Sequence, residues 1–79
     1  MDPDQTELEE ALEDLPPSPK LVYKVLEYEG DLTQLELAEH TRLPRRTVRY
    51  SLEMLMDHEL VDDRPSLHDA RQSFYTINK

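Results

Sequence analysis

Four arginines, Arg42, Arg45, Arg46 and Arg49, fall close together, and the stretch from His40 to Leu52 holds no carboxylate. A guanidinium is planar and always charged. Its fork of donors matches the O6 and N7 acceptors of guanine, or two oxygens of a phosphate. On a period of about 3.6 residues Arg45 and Arg49 stack on one side of a helix, and Arg46 neighbours Arg49 and Tyr50. That side lies away from Val48, Leu52, Leu55 and Met56, whose i, i+4, i+7, i+8 spacing marks a buried stripe. The core therefore leaves the arginines free, and they point to contact with double-stranded DNA. Thr47 and Tyr50 add hydroxyls for phosphate or a surface against a thymine methyl. The competing reading places the same arginines in surface ion pairs with Glu36, Glu39 or Glu53, which would be worth little.

A second cationic group lies further on. Arg64, His68 and the run Asp69-Ala70-Arg71 sit in a polar segment between two β-prone stretches. An arginine at a hairpin tip can enter a narrow, electronegative minor groove. Asp69 is placed to hold Arg71 in the rotamer that does so.

The net charge of −9 looks wrong for such a partner, but the charge is segregated. The first 14 residues carry seven carboxylates and no base, while from Leu15 onward eleven acids face nine bases. Residues 1–15 form an acidic arm. Leu8, Ala11, Leu12 and Leu15 make one helical stripe there, able to cover the core or meet a partner chain; a disordered arm is the alternative. The arm would point away from DNA or meet a basic protein partner.

Residues 16–79 carry the elements that must position these groups. Pro16-Pro17-Ser18-Pro19 predicts a helix start with Ser18 as N-cap, and the helix runs from Pro19 to Glu29. Leu21, Val22, Val25, Leu26 and Tyr28 supply its apolar face, and Gly30, the only glycine, gives a left-handed stop. Leu32 is extended. Thr33-Gln34-Leu35-Glu36 is a capping box opening a short second helix that ends at His40 or Thr41, with Leu35, Leu37 and Ala38 partly inward. Pro44 or Arg45 starts the arginine-bearing third helix, which ends near His58. Leu60–Asp63 and Gln72–Ile77 read as strands joined by a loop over 64–71. The fold class expected is mainly α with a small β-hairpin: a three-helix core plus a wing, the winged helix-turn-helix arrangement.

Leu32 to Ala38, then Leu43 to Leu52, then Leu55 and Leu60-Val61, with Asp69-Ala70-Arg71 ahead of Tyr75-Thr76-Ile77, resemble the core of MarR-type winged-helix regulators. The resemblance covers Leu21 to Ile77. It implies a transcription regulator whose recognition helix carries Arg45, Arg46, Arg49 and Tyr50 and whose minor-groove wing carries Arg71. Three departures limit the transfer. Pro44 stands where a serine-like cap is usual, Glu59 replaces a glycine before Leu60-Val61, and the long terminal helices that dimerise these regulators and frame their ligand pocket are missing. Ligand sensing is therefore not implied. A homodimer would use other surfaces: the Leu8–Leu15 stripe, the first core helix or the sheet edge. The acid-rich, lysine-poor composition also resembles that of proteins from salt-adapted archaea.

Other chemistries find no support. The chain has no cysteine, which excludes disulfides and thiolate chemistry. His40, His58 and His68 are too dispersed to predict a metal site, and no cofactor is implied. No residue set suits an enzyme. With no apolar run of about 20 residues, a cytoplasmic location is expected. The alternative function is a winged-helix protein-interaction module docking an acidic partner.

Overall fold

Apolar stripes on three short helices cannot be buried singly. In the computed structural model, which describes residues 10, 12–65 and 72–78, they meet in one core. The order is α1 (Pro17–Glu29), β1 (Leu32–Thr33), α2 (Gln34–Thr41), α3 (Arg45–Asp57), β2 (Val61–Pro65) and β3 (Ser73–Ile77). The strands form one antiparallel sheet in the order β1-β3-β2, with Leu32 opposite Tyr75 and Val61 opposite Ile77. The expected three-helix core with a β-hairpin is the observed fold. The extended Leu32 and its neighbour add a third strand.

The start of α1 differs from expectation. It begins at Pro17 with Pro16 as N-cap and no side-chain cap, so Ser18 is not the capping residue. Pro17 and Pro19 lack N–H groups that a first turn leaves unbonded anyway, and the Pro16 carbonyl accepts from the Lys20 N–H at 3.4 Å. The buried face also differs. Pro19, Val22, Tyr23 and Leu26 face inward, whereas Leu21 and Tyr28 are 42% and 88% exposed. Burial of Tyr23, and then the charge of Glu27, raise the pKa of its phenol. Gly30 ends the helix at φ 92, ψ −157. Its φ is positive as expected, but its ψ is extended rather than left-handed helical, a region open essentially to glycine alone.

The capping box of α2 is complete. The Glu36 N–H donates to Thr33 Oγ1 at 3.2 Å, and the Thr33 N–H donates to Glu36 Oε1 at 3.0 Å. Leu37 is buried and Ala38 half-buried, but Leu35 is 48% exposed, a correction to the inward position expected of it. On α3, Val48, Leu52 and Leu55 are buried as their spacing predicts, and Met56 is half-buried. Ser51 joins them, and its hydroxyl has no hydrogen-bond partner among the described residues. α3 packs chiefly against α1. Leu12 and Leu15 from the acidic arm are buried in the same cluster, while Leu8 and Ala11 lie outside the described residues.

The strands are shifted from their expected limits. β2 runs on to Pro65, which carries Arg64 and Pro65 out of the anticipated loop and into register with Phe74 and Ser73. Ahead of β2, Glu59 adopts φ 59, the left-handed conformation its place in the sequence implied. Replacing Glu59 with glycine should raise stability by about 0.5–1 kcal/mol. The gain would appear as a higher urea midpoint at unchanged slope. An unmoved or lower midpoint would show that the greater freedom of glycine in the unfolded chain offsets the relief.

Candidate nucleic-acid interface

The N-terminal end of α3 is where the cationic side chains gather. Pro44 is its N-cap, with no side-chain cap, and the Pro44 carbonyl accepts from the N–H groups of Thr47 and Val48, each at 3.0 Å. Among the described residues the N–H groups of Arg45 and Arg46 have no backbone partner. Together with the positive end of the helix dipole, such groups form a site suited to anions. Arg45, Arg46 and Arg49 are exposed, Tyr50 is 54% exposed, and Thr47 is half-buried. No acidic residue occupies the first turn. Two cations, Arg45 and Arg46, in the first turn at the positive end of a dipole work against helix stability, which fits a surface shaped by what it binds.

The turn ahead of α3 holds Arg42 in place. Arg42 caps α2 in a left-handed conformation, φ 62 and ψ 19, with its N–H donating to the Ala38 carbonyl at 2.8 Å. Thr41 Oγ1 donates to the Leu37 carbonyl at 2.7 Å and accepts from the Leu43 N–H at 3.2 Å, so one hydroxyl ties both sides of the turn. An arginine at a positive φ where glycine would be unstrained points to a side chain that is needed there.

Among the described residues the one ion pair is Lys24 Nζ to Glu27 Oε1 at 3.6 Å. Arg42, Arg45, Arg46, Arg49 and Arg64 make none there. Glu36, one of the carboxylates that could have held them, accepts from the Thr33 N–H instead. The ion-pair reading of the arginines thus has no support in this geometry.

Arg45 and Arg49 line a cleft of about 310 Å³ with Thr33, Gln34 and Leu35 from the start of α2 and with Gln72, Ser73 and Tyr75 from the wing. Gln34 Nε2 donates to Tyr75 Oη at 3.0 Å, tying α2 to β3 across its floor. The sequence does not mark Gln34, Leu35, Gln72 or Ser73 as residues of a site, and its pattern turns Leu35 inward. The only signal for Leu35 is an apolar residue in a first helical turn whose exposure the chain pattern does not reveal. Arg64 is exposed on β2. It stands on a strand opposite Phe74, not in a loop, and does not line the cleft. Asp69, Arg71 and His68 lie outside the described residues. His40 and His58 are exposed, and among the described residues no three His, Asp or Glu side chains converge as a metal site.

Residues 18–62 match the family model described as winged helix-turn-helix DNA-binding. No curated protein matches the chain. Among solved structures, the PcaV transcriptional regulator from Streptomyces coelicolor is similar at 23% identity and a TM-score of 0.77, over 92% of this chain and 58% of that one. A MarR family regulator from Neisseria meningitidis is similar at 22% identity and a TM-score of 0.72, over 96% and 54%. BpsR of Bordetella bronchiseptica, whose DNA binding is regulated by 6-hydroxynicotinic acid, is similar at 22% identity and a TM-score of 0.75, over 82% and 49%. At these identities the likeness is one of fold, and the chain spans roughly half the length of the regulators it matches.

Proposed function

Because this chain belongs to the winged helix-turn-helix DNA-binding family, we propose that it is a sequence-specific transcription regulator that lays α3 in the major groove of duplex DNA and its wing in the minor groove. The observation that carries this reading is the set of exposed arginines, unpaired among the described residues, at the uncapped positive end of α3. Arg45, Arg46 and Arg49 read base edges and adjoining phosphates, with Thr47 and Tyr50 beside them. Arg42 and Arg64 hold phosphates on either side. Arg71, oriented by Asp69, enters the minor groove. The cleft between α3, α2 and β3 then straddles a stretch of sugar-phosphate backbone, where Gln34, Gln72 and Ser73 offer further donors.

We read the protein as a homodimer on its operator, in keeping with two-fold symmetric sites for helix-turn-helix proteins. The acidic arm is directed away from phosphate or toward a basic partner, and the acid-rich composition fits the cytoplasm of a salt-adapted archaeon. Among the described residues no helix is long and apolar enough to cross a membrane.

Methylation interference on a selected duplex tests the groove assignment. Methyl groups at guanine N7, in the major groove, should block binding within each half-site; methyl groups at adenine N3, in the minor groove, should block it only at the flanks. Interference confined to the minor groove, or absent from both, would overturn the placement of α3. Undiminished binding to an acidic protein with none to duplex would favour the interaction-module alternative.

A further inference from the structure

We propose that two copies of this chain pair through α1, antiparallel about a two-fold axis that passes beside Val25; the proposal deepens the homodimeric reading above and rests on it. The core takes Pro19, Val22, Tyr23 and Leu26 from α1. Leu21, Val25 and Tyr28 recur at i, i+4, i+7 on nearly the opposite side, with Leu21 42% and Tyr28 88% exposed. Single exposed apolar residues need no explanation, but Leu21 and Tyr28, in helical register with a Val25 that is half-buried against the core, make a seam.

The charges beside the seam identify what covers it. α1 carries lysines, Lys20 and Lys24, in its first two turns and glutamates, Glu27 and Glu29, at its end, with no acid in its first turn and no base in its last. That order opposes the helix dipole. It suits a second α1 running the other way. In an antiparallel pair related by a two-fold axis, residues on one flank of a helix face the same flank of its mate. With the axis between positions 25 and 26, Lys24 of each copy lies level with Glu27 of the other, and these two residues share a flank, as their ion pair at 3.6 Å within one chain shows. The same register sets each Tyr28 between Leu21 and Val25 of its mate and brings the two Val25 side chains together. Shallow grooves flank the seam and complete a ridge-and-groove surface. One, of about 460 Å³, is lined by Val25, Tyr28, Glu29 and His40 among others. The other, of about 250 Å³, is lined by Leu12, Glu13, Lys20 and Lys24. A charged seam complementary to itself fits a second copy better than an unrelated partner.

A contact one helix long falls short of the roughly 1,200–2,000 Å² that stable interfaces bury. The pairing is therefore weak in free solution, and two half-sites on one duplex strengthen it. Disulfide trapping detects such a contact, and because the sequence has no cysteine each variant carries a single thiol. Val25→Cys should oxidise to a covalent dimer about tenfold faster than Asp62→Cys, placed on the edge strand β2. Adding Lys24→Glu to Val25→Cys should slow coupling about tenfold, and adding Glu27→Lys as well should restore it, since each mixed pair is re-formed across the axis. Circular dichroism confirms folding of each variant, and neither Lys24 nor Glu27 belongs to the core. Coupling of Val25→Cys no faster than that of Asp62→Cys, or no response to the charge changes, would overturn the proposal. So would preferential coupling through the sheet edge. Titration with a duplex carrying one half-site separates the two readings. Duplex binding without α1 coupling overturns the pairing alone, whereas coupling without duplex binding upholds the pairing and overturns the DNA assignment.

Discussion

Replacing Arg45 and Arg49 together by alanine should weaken binding to a selected duplex by about 100-fold or more while leaving the fold intact. Each guanidinium that makes a bidentate contact to guanine discriminates by about 1–3 kcal/mol, and each phosphate contact adds a share that falls with salt. Two such losses at neighbouring positions multiply the dissociation constant by two orders of magnitude or more, since about 1.4 kcal/mol is tenfold. Stability should not fall, because both side chains are exposed and neither is ion-paired among the described residues. It should rise by a few tenths of a kcal/mol, because Arg45 leaves the first turn at the positive end of a helix dipole (about 0.3–1 kcal/mol at low salt) while Arg49 lies one turn further in. Opposite movement of affinity and stability is what separates a binding surface from a structural one. Fluorescence anisotropy with selected and random duplexes, beside a thermal melt, reads both. Unchanged affinity would remove α3 from the interface, and a lower melting temperature would return the arginines to a structural role.

The second large effect lies in the core. Leu55 is fully buried and sits with Val48 and Leu52 on the face of α3 turned to α1. Truncating it to alanine should cost about 2–5 kcal/mol, the transfer energy of the lost carbons plus the cavity they leave. A core this small seldom supplies more than about 3–5 kcal/mol. Leu55→Ala should therefore be largely unfolded at room temperature, with weak far-ultraviolet dichroism and no cooperative melt. Ser51→Ala, one turn earlier on the same face, should be neutral or slightly stabilising, because its buried hydroxyl has no partner among the described residues to lose. A cooperative melt for Leu55→Ala near that of the parent would mean that stability comes from elsewhere, an oligomer contact first of all.

These two neighbouring positions also show what a sequence can reveal. On α3 the contrast between Val48, Leu52 and Leu55 and the arginines is sharp, so periodicity alone finds both the buried and the outward face. The capping box at Thr33 was equally legible, because it depends on local backbone chemistry, whereas the left-handed Glu59 followed only from the glycine usual there in the family the sequence resembles. α1 was not. Its apolar residues at 21, 22, 23, 25, 26 and 28 cover more than half of its circumference, and only packing against α3 decides that Tyr23 goes in and Tyr28 stays out. The length of β2 was hidden for a related reason. Asp62, Asp63, Arg64 and Pro65 are poor strand formers, and cross-strand register with β3 overrides their preference. At the candidate site the arginines were visible as a cluster. The cleft that joins them to Gln34 and Ser73 was not, because it exists only once β3 has folded back against the start of α2.

Charge has a role beyond the contacts. A net charge of −9 holds the protein as a whole away from polyanions, so attraction is confined to the arginine surface. Non-specific association, which runs almost wholly on diffuse positive charge, is suppressed more than specific association. On the proposed reading, part of the selectivity would come from carboxylates outside the interface.

The strand that lies in the middle of the sheet is the one synthesised last of the three. During translation neither outer strand has its ladder partner until residues 73–77 have left the ribosome. The helices can collapse earlier, yet Leu32 and Val61 wait unpaired. A single proteolytic cut between Pro65 and Ser73 that freed the later piece would strip both edges at once. It would release the Gln34–Tyr75 tie together with the wing.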